Sequence, residues 1–352
     1  MRRGFLLGKF LPPHAGHLFL CRTAAAMVDR LTVLVCSIDA EPIPGHLRHE
    51  WMRALLPQCR VVHMHRDIPQ EPADHPDFWP IWRAAIREHH PEPVDRVFAS
   101  EDYVFRLAAE LGAEPVMIDP ARVAVPVSGR AIRAAPHAHW RFVPEPVRPW
   151  FQRRVCLLGP ESAGKTTLAA ALAERFGTVA IPEYGRVYDA HYRQGEAWGP
   201  QDFITLAETH LAIAAALAPT GGPVLIEDTD PIQTAVWAEM LLGRVPDALV
   251  RMVETFRRAD LYLLLSPEVP WFQDGTRYWG DQAVRERFHA RCRAWLDRLG
   301  CTVVAIGGDD WQARTAAAVR AVARLAPAAG DAGADAGAGA APAAAAAAAP
   351  DV

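Results

Sequence analysis

The chain has 352 residues, and one hydrophobic core rarely grows beyond roughly 250–300 residues, so we expect two domains. Its net charge is −4, with both signs spread along the chain, which argues against the basic surface of a nucleic-acid-binding protein. None of the six cysteines forms a Cys-x-x-Cys pair, so we expect reduced thiols rather than a zinc or redox site. No continuous apolar run reaches the ~18 residues of a membrane span, and no secretory signal opens the chain. We therefore predict a soluble, cytoplasmic protein without membrane insertion.

The N-terminal part of the chain alternates strand and helix patterns. A strand is predicted over Gly4–Leu7 and a helix from about His17 to Asp29, with a Gly/Pro/His loop between them. Short apolar runs predict further strands at Leu31–Ser37, Val61–Met64 and Val94–Ala99. This alternation predicts a parallel, doubly wound α/β sheet of the Rossmann-like type.

Three closely spaced prolines, at positions 144, 146 and 149, interrupt helix and sheet patterns and mark the predicted domain boundary. The β-α pattern then restarts, which predicts a second doubly wound α/β domain. Its predicted elements are the strands Val155–Leu158, Val224–Ile226, Leu261–Leu265 and Thr302–Ile306 and the helix Lys165–Phe176. We assign residues 1–148 and 149–325 to the two domains. Residues 326–352 contain little but Ala, Gly, Pro and Asp, and we expect this tail to be disordered.

A complete phosphate-binding motif lies in the second domain. Residues 159–166 read Gly-Pro-Glu-Ser-Ala-Gly-Lys-Thr, between a predicted strand and a predicted helix, and match G-x-x-x-x-G-K-[ST]. Backbone N–H groups of such a loop, together with the helix N-terminus, bind phosphate oxygens. Lys165 would reach the outer phosphates, and the Thr166 hydroxyl would bind Mg²⁺. The predicted ATP-binding residues here are Gly159, Glu161, Ser162, Ala163, Gly164, Lys165, Thr166 and Thr167.

Two acids follow the predicted strand Val224–Ile226, at the edge of the sheet where ligands bind in α/β proteins. Asp228 or Asp230 could hold Mg²⁺ or accept the proton of an attacking hydroxyl, and the sequence leaves open which does so. For Asp230 the alternative is an N-cap preceding a helix that begins with proline. Residues 271–281 are predicted to form a mobile lid in which Arg277 contacts the transferred phosphate, with a solvated surface arginine as the alternative.

A second nucleotide site is predicted in the first domain, at the histidine-rich loop of residues 8–17. His14 and His17 form a His-x-Gly-His pair, and Ser128 and Arg133 begin a helix near the far end of the same domain. Nucleotidyl transfer needs hydrogen-bond donors for the phosphates more than it needs a nucleophile, and this set supplies them. The alternatives are a metal-binding or turn role for the histidines and a plain N-cap role for Ser128. The predicted ATP-binding residues are Gly8, Lys9, Phe10, His14, Gly16, His17, Ser128 and Arg133.

These motifs together resemble those of one family. GKFLPPHAGH with VSGRAIR resembles the HxGH and SxxxxR pair of nucleotidyltransferases. Together with the P-loop, FASEDY (98–103), PEYGR (182–186) and EDTDPIQT (227–234), the chain resembles the NadR family over residues 4–320. The resemblance implies a bifunctional enzyme that uses Mg²⁺ and ATP to phosphorylate ribosylnicotinamide to nicotinamide mononucleotide (NMN). It also implies adenylyl transfer from ATP to NMN, which yields NAD and pyrophosphate.

The resemblance further implies roles for individual residues. Trp79 or Trp82 would stack on nicotinamide in the first domain, with a core tryptophan as the alternative reading. The first predicted strand begins by Gly4, so we expect the DNA-binding module of some NadR proteins, and a nucleic-acid partner, to be absent. The implied catalytic residues are His14, His17, Lys165, Asp230 and Arg277. The implied substrate residues are Trp79, Trp82, Glu183, Tyr184, Asp228 and Asp230, and the implied metal ligands are Thr166 and Asp228.

Two other functions stay open at this point. One is a nucleoside kinase fused to a nucleotidyltransferase with a different acceptor. The other is a non-catalytic nucleotide-sensing regulator, against which the complete set of Lys165, Thr166, His14 and His17 argues. The sequence leaves the oligomeric state open, homo-oligomers included.

Overall fold

The computed structural model describes residues 1–193, 195–271 and 278–325. The chain divides into two compact units, Met1–Val147 and the part that begins at Arg148. Arg277 of the predicted lid and the predicted tail, residues 326–352, lie outside the described residues.

The first unit contains a parallel five-stranded sheet flanked by helices. Its strand order is β3-β2-β1-β4-β5, so the order reverses between β1 and β4, where α/β proteins commonly bind ligands. The strands are β1 (Arg3–Gly8), β2 (Arg30–Ser37), β3 (Arg60–His65), β4 (Arg96–Ala99) and β5 (Glu114–Met117). The helices are α1 (Ala15–Ala26), α2 (Gly45–Leu55), α3 (Phe78–His89), α4 (Tyr103–Leu111) and α5 (Gly129–Ala134), and two 3₁₀ turns follow at Trp140–Phe142 and Glu145–Val147.

Both faces of this sheet are covered, which explains the continuous apolar run of β2. Leu34 packs on one face with residues of α3 and α4, and Val33 and Val35 pack on the other face with residues of α1 and α2. The predicted doubly wound sheet is confirmed. The edge strand β5, which contains Pro115, was not predicted, because proline weakens a strand pattern.

The second unit repeats this architecture with the strand order β10-β9-β6-β8-β7, all parallel. Its strands are β6 (Arg153–Leu158), β7 (Ala180–Ile181), β8 (Val224–Asp228), β9 (Leu261–Leu265) and β10 (Val303–Ile306). The helices are α6 (Arg148–Phe151), α7 (Lys165–Arg175), α8 (Gly185–Tyr188), α9 (Pro200–Leu217), α10 (Pro231–Leu242), α11 (Asp247–Thr255), α12 (Gln282–Arg298) and α13 (Trp311–Leu325). A π-helical turn, Asp189–Arg193, follows α8, and a 3₁₀ turn, Ala218–Thr220, follows α9. Sequence patterns did not reveal β7, which has only two residues.

The proline-rich segment between the units is more regular than predicted. Pro146 lies inside a 3₁₀ turn, and Pro149 lies in the first turn of α6. Proline is compatible with a first helical turn because the N–H group it lacks would have no intrahelical partner there.

By length and composition alone, one described helix could cross a membrane. Pro200–Thr220 has 21 residues and contains an 18-residue window with a mean hydropathy of 1.3. A core helix of a soluble protein meets the same criterion, and Phe203, Ala207 and Ala214 of this helix are buried inside the second unit.

Candidate active sites

The loop between β1 and α1 builds the first site around two histidines. His14 is the N-cap of α1, and its Nδ1 accepts the N–H groups of Gly16 at 3.1 Å and His17 at 3.4 Å. The His14 and His17 rings stack with centroids 3.7 Å apart. Burial and the neighbouring His14 lower the pKa of His17 well below its ordinary value, so this imidazole is neutral at neutral pH. The hydrogen bonds to Gly16 and His17 thus give His14 the turn role that the sequence analysis left open. The same turn brings the His14 ring against the His17 ring.

Two residues allow the backbone of this loop to take its shape. Phe10 is buried with a φ of 49°, and its ring meets His17 edge-on at a centroid distance of 5.0 Å. A Cβ atom at Gly16 would lie 3.0 Å from the His14 ring, which explains a glycine there.

The beginning of α5 packs directly on the histidine loop. Ser128 is the N-cap of α5, and its Oγ accepts the Ala131 N–H at 3.1 Å. Arg133 donates to the Leu11 carbonyl, and a Cβ atom at Gly129 would lie 2.5 Å from that same oxygen. The structure thus brings the two predicted motifs together, although they are more than one hundred residues apart.

A cavity opens beside the histidines. Of the predicted residues, Gly8, Phe10, His14, Gly16 and His17 line it, whereas Lys9, Ser128 and Arg133 do not. Its other lining residues include Ser100, Glu101, Tyr103, Asp119 and Arg122, to which the sequence analysis gave no role. The FASEDY motif, which contains three of them, was the signal that could have identified them.

A neighbouring cavity contains both predicted tryptophans. Trp82 is only 9% exposed, packs in the core beside Phe78, and donates its Nε1–H to the Pro69 carbonyl at 2.8 Å. Trp79 is half-buried at the edge of that core, with the Arg106 guanidinium 5.8 Å from its ring centroid. Trp82 therefore has the contacts of the core alternative, and Trp79 is the better candidate for stacking.

The histidine loop also rests on a buried ion pair that the sequence analysis missed. Arg48 is fully buried, pairs with Glu41, and donates to the carbonyls of Lys9, Cys36 and Ile43. One guanidinium thereby binds three carbonyls, one in strand β2 and one in each of two loops. No local sequence motif predicts this contact, because Lys9 and Arg48 are 39 positions apart.

The P-loop builds the second site between β6 and α7. Gly159 and Gly164 have φ values of 147° and 86°, which favour glycine, and Ser162 is also left-handed at 59°. The Lys165 ammonium donates to the carbonyls of Gly159 and Pro160, each at 3.0 Å. The loop thus has the expected anion-binding form, with its lysine folded back onto the loop.

Thr166 and Asp228 meet at the predicted metal position. The Thr166 hydroxyl donates to Asp228 Oδ2 at 2.6 Å, while Asp228 Oδ1 is buried and has no hydrogen-bond partner among the described residues. Burial and the charge of Glu183 raise the pKa of Asp228 to about 6. One carboxylate and one hydroxyl suit Mg²⁺, which usually completes its shell with waters and phosphates. No cluster of three or more His, Cys, Asp or Glu suited to a metal occurs in the described part of the chain.

A cavity follows the P-loop from its glycines to the end of β7. It is lined by Ser162, Gly164, Lys165, Thr166, Thr167, Pro182, Glu183, Arg186 and Asp228. The predicted Glu183 thus faces the same space as the Thr166–Asp228 pair.

Asp230, the other predicted acid, lies outside the cavities beside the P-loop. It is the N-cap of α10, where Oδ1 accepts the Ile232 N–H and Oδ2 accepts the Tyr262 hydroxyl proton, both at 2.8 Å. It is buried and does not line the cavities beside the P-loop. The structure realises the N-cap alternative and does not bring Asp230 to Thr166.

A second cavity adjoins the phosphate cavity, and Lys165 and Glu183 line both. Aromatic side chains that the sequence analysis did not assign line this second space, together with the predicted Tyr184: they are Trp198, Phe203, Trp237 and Tyr278. The backbone N–H groups of Tyr278 and Trp279 donate to the Glu161 carboxylate, so the predicted P-loop residue Glu161 also fixes one wall.

The comparisons with known proteins agree with this arrangement. A family described as AAA domain matches residues 154–314. The trifunctional NAD biosynthesis/regulator protein NadR of Escherichia coli is 28% identical over 331 residues, which cover 88% of this chain and 80% of that protein. The chain is thus similar to NadR proteins over most of its length. A nicotinamide-nucleotide adenylyltransferase of Methanocorpusculum labreanum is 29% identical over 136 residues, 38% of this chain and 78% of that protein.

The fold comparison covers both units. A crystal structure of NadR protein in complex with NR superposes with a TM-score of 0.72 over 92% of this chain and 95% of that one, at 21% identity. The two-sheet architecture of this chain is therefore that of the NadR structure, and in sequence the chain is similar to nucleotide-binding transferases of NAD biosynthesis.

Proposed function

We propose that the second unit phosphorylates ribosylnicotinamide to NMN and that the first unit transfers the adenylyl group of ATP to NMN, which forms NAD and pyrophosphate. The observation that carries the proposal is that each unit has a separate phosphate-binding loop at the carboxyl edge of its sheet, beside a cavity lined by aromatic rings. The names of the relatives, a NAD biosynthesis protein and a nicotinamide-nucleotide adenylyltransferase, support a role in NAD biosynthesis and the adenylyl transfer.

In the kinase reaction, the P-loop amides and Lys165 bind the phosphates of ATP. Thr166 and Asp228 would hold Mg²⁺, which neutralises charge on the phosphates during transfer. Glu183 lines both the phosphate cavity and the aromatic cavity, so it is positioned to receive the proton of the acceptor hydroxyl. Removing one stabilising charge from such a site usually slows the reaction by about 10²–10³.

The aromatic cavity suits a cationic acceptor. Trp198, Trp237 and Tyr278 offer ring surfaces, and Glu161 and Glu183 add carboxylates to the same lining. A positively charged ring is attracted both by aromatic faces and by carboxylates, and the pyridinium ring of ribosylnicotinamide carries this charge. Uridine and cytidine have neutral bases and would lack this attraction.

In the adenylyl transfer, the imidazoles of His14 and His17, which line the first cavity, and the N-terminus of α1 would supply donors to the α-phosphate and the leaving pyrophosphate. Trp79 is the candidate that stacks on the nicotinamide ring of NMN. A covalent enzyme intermediate is not required, because the NMN phosphate itself attacks the α-phosphate. A soluble, cytoplasmic location and the lack of a nucleic-acid partner stay predictions.

One assay tests both reactions. The full chain is incubated with ribosylnicotinamide, ATP and Mg²⁺, and the products are identified by mass spectrometry, with uridine and cytidine as competing acceptors. We expect NMN first and NAD afterwards, with little phosphorylation of the neutral nucleosides. Equal or preferential phosphorylation of uridine would indicate the fused kinase with a different acceptor, and no turnover at all would favour a nucleotide-sensing protein.

A further inference from the structure

The side chain of Gln233, the third residue of α10, connects the aromatic cavity to the P-loop. It is 1% exposed, and its Oε1 accepts the Gly159 N–H at 3.0 Å. A backbone N–H can only donate, so the amide oxygen must face Gly159 and the amide nitrogen must point away from it. Gln233 also lines the aromatic cavity, together with Lys165 and Glu183.

The nitrogen of this amide is unsatisfied. Nε2 of Gln233 is buried and has no hydrogen-bond partner among the described residues. Buried polar groups in folded proteins are nearly always hydrogen-bonded, so this unsatisfied donor needs an explanation. An acceptor atom brought in by a ligand would satisfy this donor.

The position of Gln233 indicates which part of the ligand this is. The N–H group of Gly159 donates to Gln233, and the carbonyl of Gly159 accepts a hydrogen bond from the Lys165 ammonium at 3.0 Å. Gln233 therefore stands at the phosphate end of the aromatic cavity. The part of an acceptor nucleoside that must reach this end is the hydroxyl that is phosphorylated.

We propose that Gln233 is a positioning residue that donates its Nε2–H to the oxygen of the attacking hydroxyl while its Oε1 holds Gly159. The hydroxyl proton goes to a carboxylate, for which Glu183 lies in the same cavity, so the hydroxyl oxygen is free to accept from Gln233. One lone pair accepts the Gln233 hydrogen bond, and another forms the new bond to phosphorus as the bond to the leaving ADP breaks. The inference rests on the kinase reaction proposed above.

Two substitutions separate this role from mere support of the P-loop. Gln233→Glu keeps an oxygen for the Gly159 N–H but replaces the donor with a charged acceptor, whereas Gln233→Met removes both contacts at similar volume. Gln201→Glu, on the exposed face of α9, is the matched control for the added charge. Each variant of the full chain is checked for folding by thermal unfolding and then assayed with ribosylnicotinamide and ATP.

We expect Gln233→Glu to lower kcat by about tenfold or more, with the KM for ATP within about twofold of wild type. Gln233→Met should lower kcat as well and also raise the KM for ATP, because Gly159 loses its partner. The kcat ratio of wild type to Gln233→Glu should shrink from about pH 8 to about pH 6, since burial raises the pKa of the new carboxyl and its protonated form regains a donor.

Support of the P-loop alone would leave Gln233→Glu with wild-type kcat at every pH, and that result would overturn the inference. If Gln233→Glu fails to fold, an unchanged kcat in a folded Gln233→Met variant overturns it equally. A wild-type chain without ribosylnicotinamide kinase activity contradicts the proposed function itself, which the product assay shows before any variant is made.

Discussion

The Thr166 hydroxyl donates a hydrogen bond of 2.6 Å to the Asp228 carboxylate, which joins the first turn of α7 to the end of β8. This contact places a carboxylate and a hydroxyl side by side at the mouth of the P-loop. It also keeps a carboxyl group buried near Glu183, an arrangement that disfavours its charge. Asp228 should therefore reduce stability while it serves the reaction.

Replacing Asp228 by asparagine tests this trade-off. The pKa of Asp228 is raised from 3.8 to about 6 by burial and by Glu183, so its contribution to stability falls as the pH rises through this window. We expect Asp228→Asn to increase the free energy of unfolding by about 1–3 kcal/mol near neutral pH. The gain should be nearly lost by about pH 3, below the ordinary carboxyl pKa of 3.8, where the wild-type carboxyl is mostly neutral in both states. Denaturant unfolding at several pH values measures this, and kinase activity should fall about a hundredfold or more.

Asp230→Asn provides the contrasting variant. Both Asp230 oxygens accept hydrogen bonds, and asparagine is a good N-cap that can still accept from Ile232 and donate to the Tyr262 oxygen. We expect kcat for ribosylnicotinamide to stay within about threefold of wild type. A loss as large as that of Asp228→Asn, in a folded variant, would instead support the catalytic role predicted from the sequence.

Substitutions of the two tryptophans of the first unit should also have different effects, one on substrate binding and the other on stability. Trp79→Ala is expected to raise the KM for NMN about tenfold, since an aromatic stacking partner is lost, and to change the unfolding temperature little. Trp82→Ala should destabilise the protein by about 3–5 kcal/mol, because it empties a core position and leaves the Pro69 carbonyl without its donor. Steady-state kinetics with NMN and thermal unfolding separate these effects. A large loss of stability with Trp79→Ala would make both residues core residues.

A substitution at Gly129 should affect only the reaction of the first site. An added methyl group there would lie 2.5 Å from the Leu11 carbonyl oxygen, a backbone atom that cannot move without shifting the histidine loop. We expect Gly129→Ala to reduce NAD formation from NMN by about tenfold or more and to leave NMN formation from ribosylnicotinamide unchanged. The two rates are measured separately on the same preparation. Unchanged NAD formation would mean that the α5 contact does not position His14 and His17.

The parts of both sites that could be predicted are those encoded by neighbours in sequence. The P-loop glycines, Lys165 and the His14–His17 pair each need a local backbone shape, which leaves a short and specific motif. Asp230 shows the limit of that reasoning. Its closeness to Asp228 in sequence suggested that both acids serve the phosphate site. In the structure Asp228 ends β8 and contacts Thr166, whereas Asp230 is the N-cap of α10.

The parts that could not be predicted depend on contacts between distant segments. The hydrogen bond between Gln233 and Gly159 spans 74 positions, and the Arg48 contact with Lys9 spans 39. Trp237 and Tyr278 come from separate elements and meet only in the folded second unit. Hydrophobic periodicity assigns such residues to a helix or a loop, but it contains no information about which cavity they line.

The sharpest prediction uses one variant in each unit. His17→Ala should stop NAD formation from NMN, because it removes an imidazole from the first site, and leave phosphorylation of ribosylnicotinamide intact. Lys165→Ala should do the opposite and slow phosphorylation by about 10²–10³. The two sites lie in different units and are built from different residues, and sites without shared partners usually behave independently, so the double variant should combine the two losses.

Product analysis of His17→Ala, supplied with ribosylnicotinamide and ATP, decides the matter. NMN should accumulate and NAD should not appear. Loss of NMN formation in a folded variant would mean that the two sites are coupled or that the kinase assignment is wrong. Normal NAD formation would mean that adenylyl transfer takes place elsewhere than at the stacked histidines. The Lys165→Ala chain supplied directly with NMN is the matching control, because it should still form NAD at the wild-type rate.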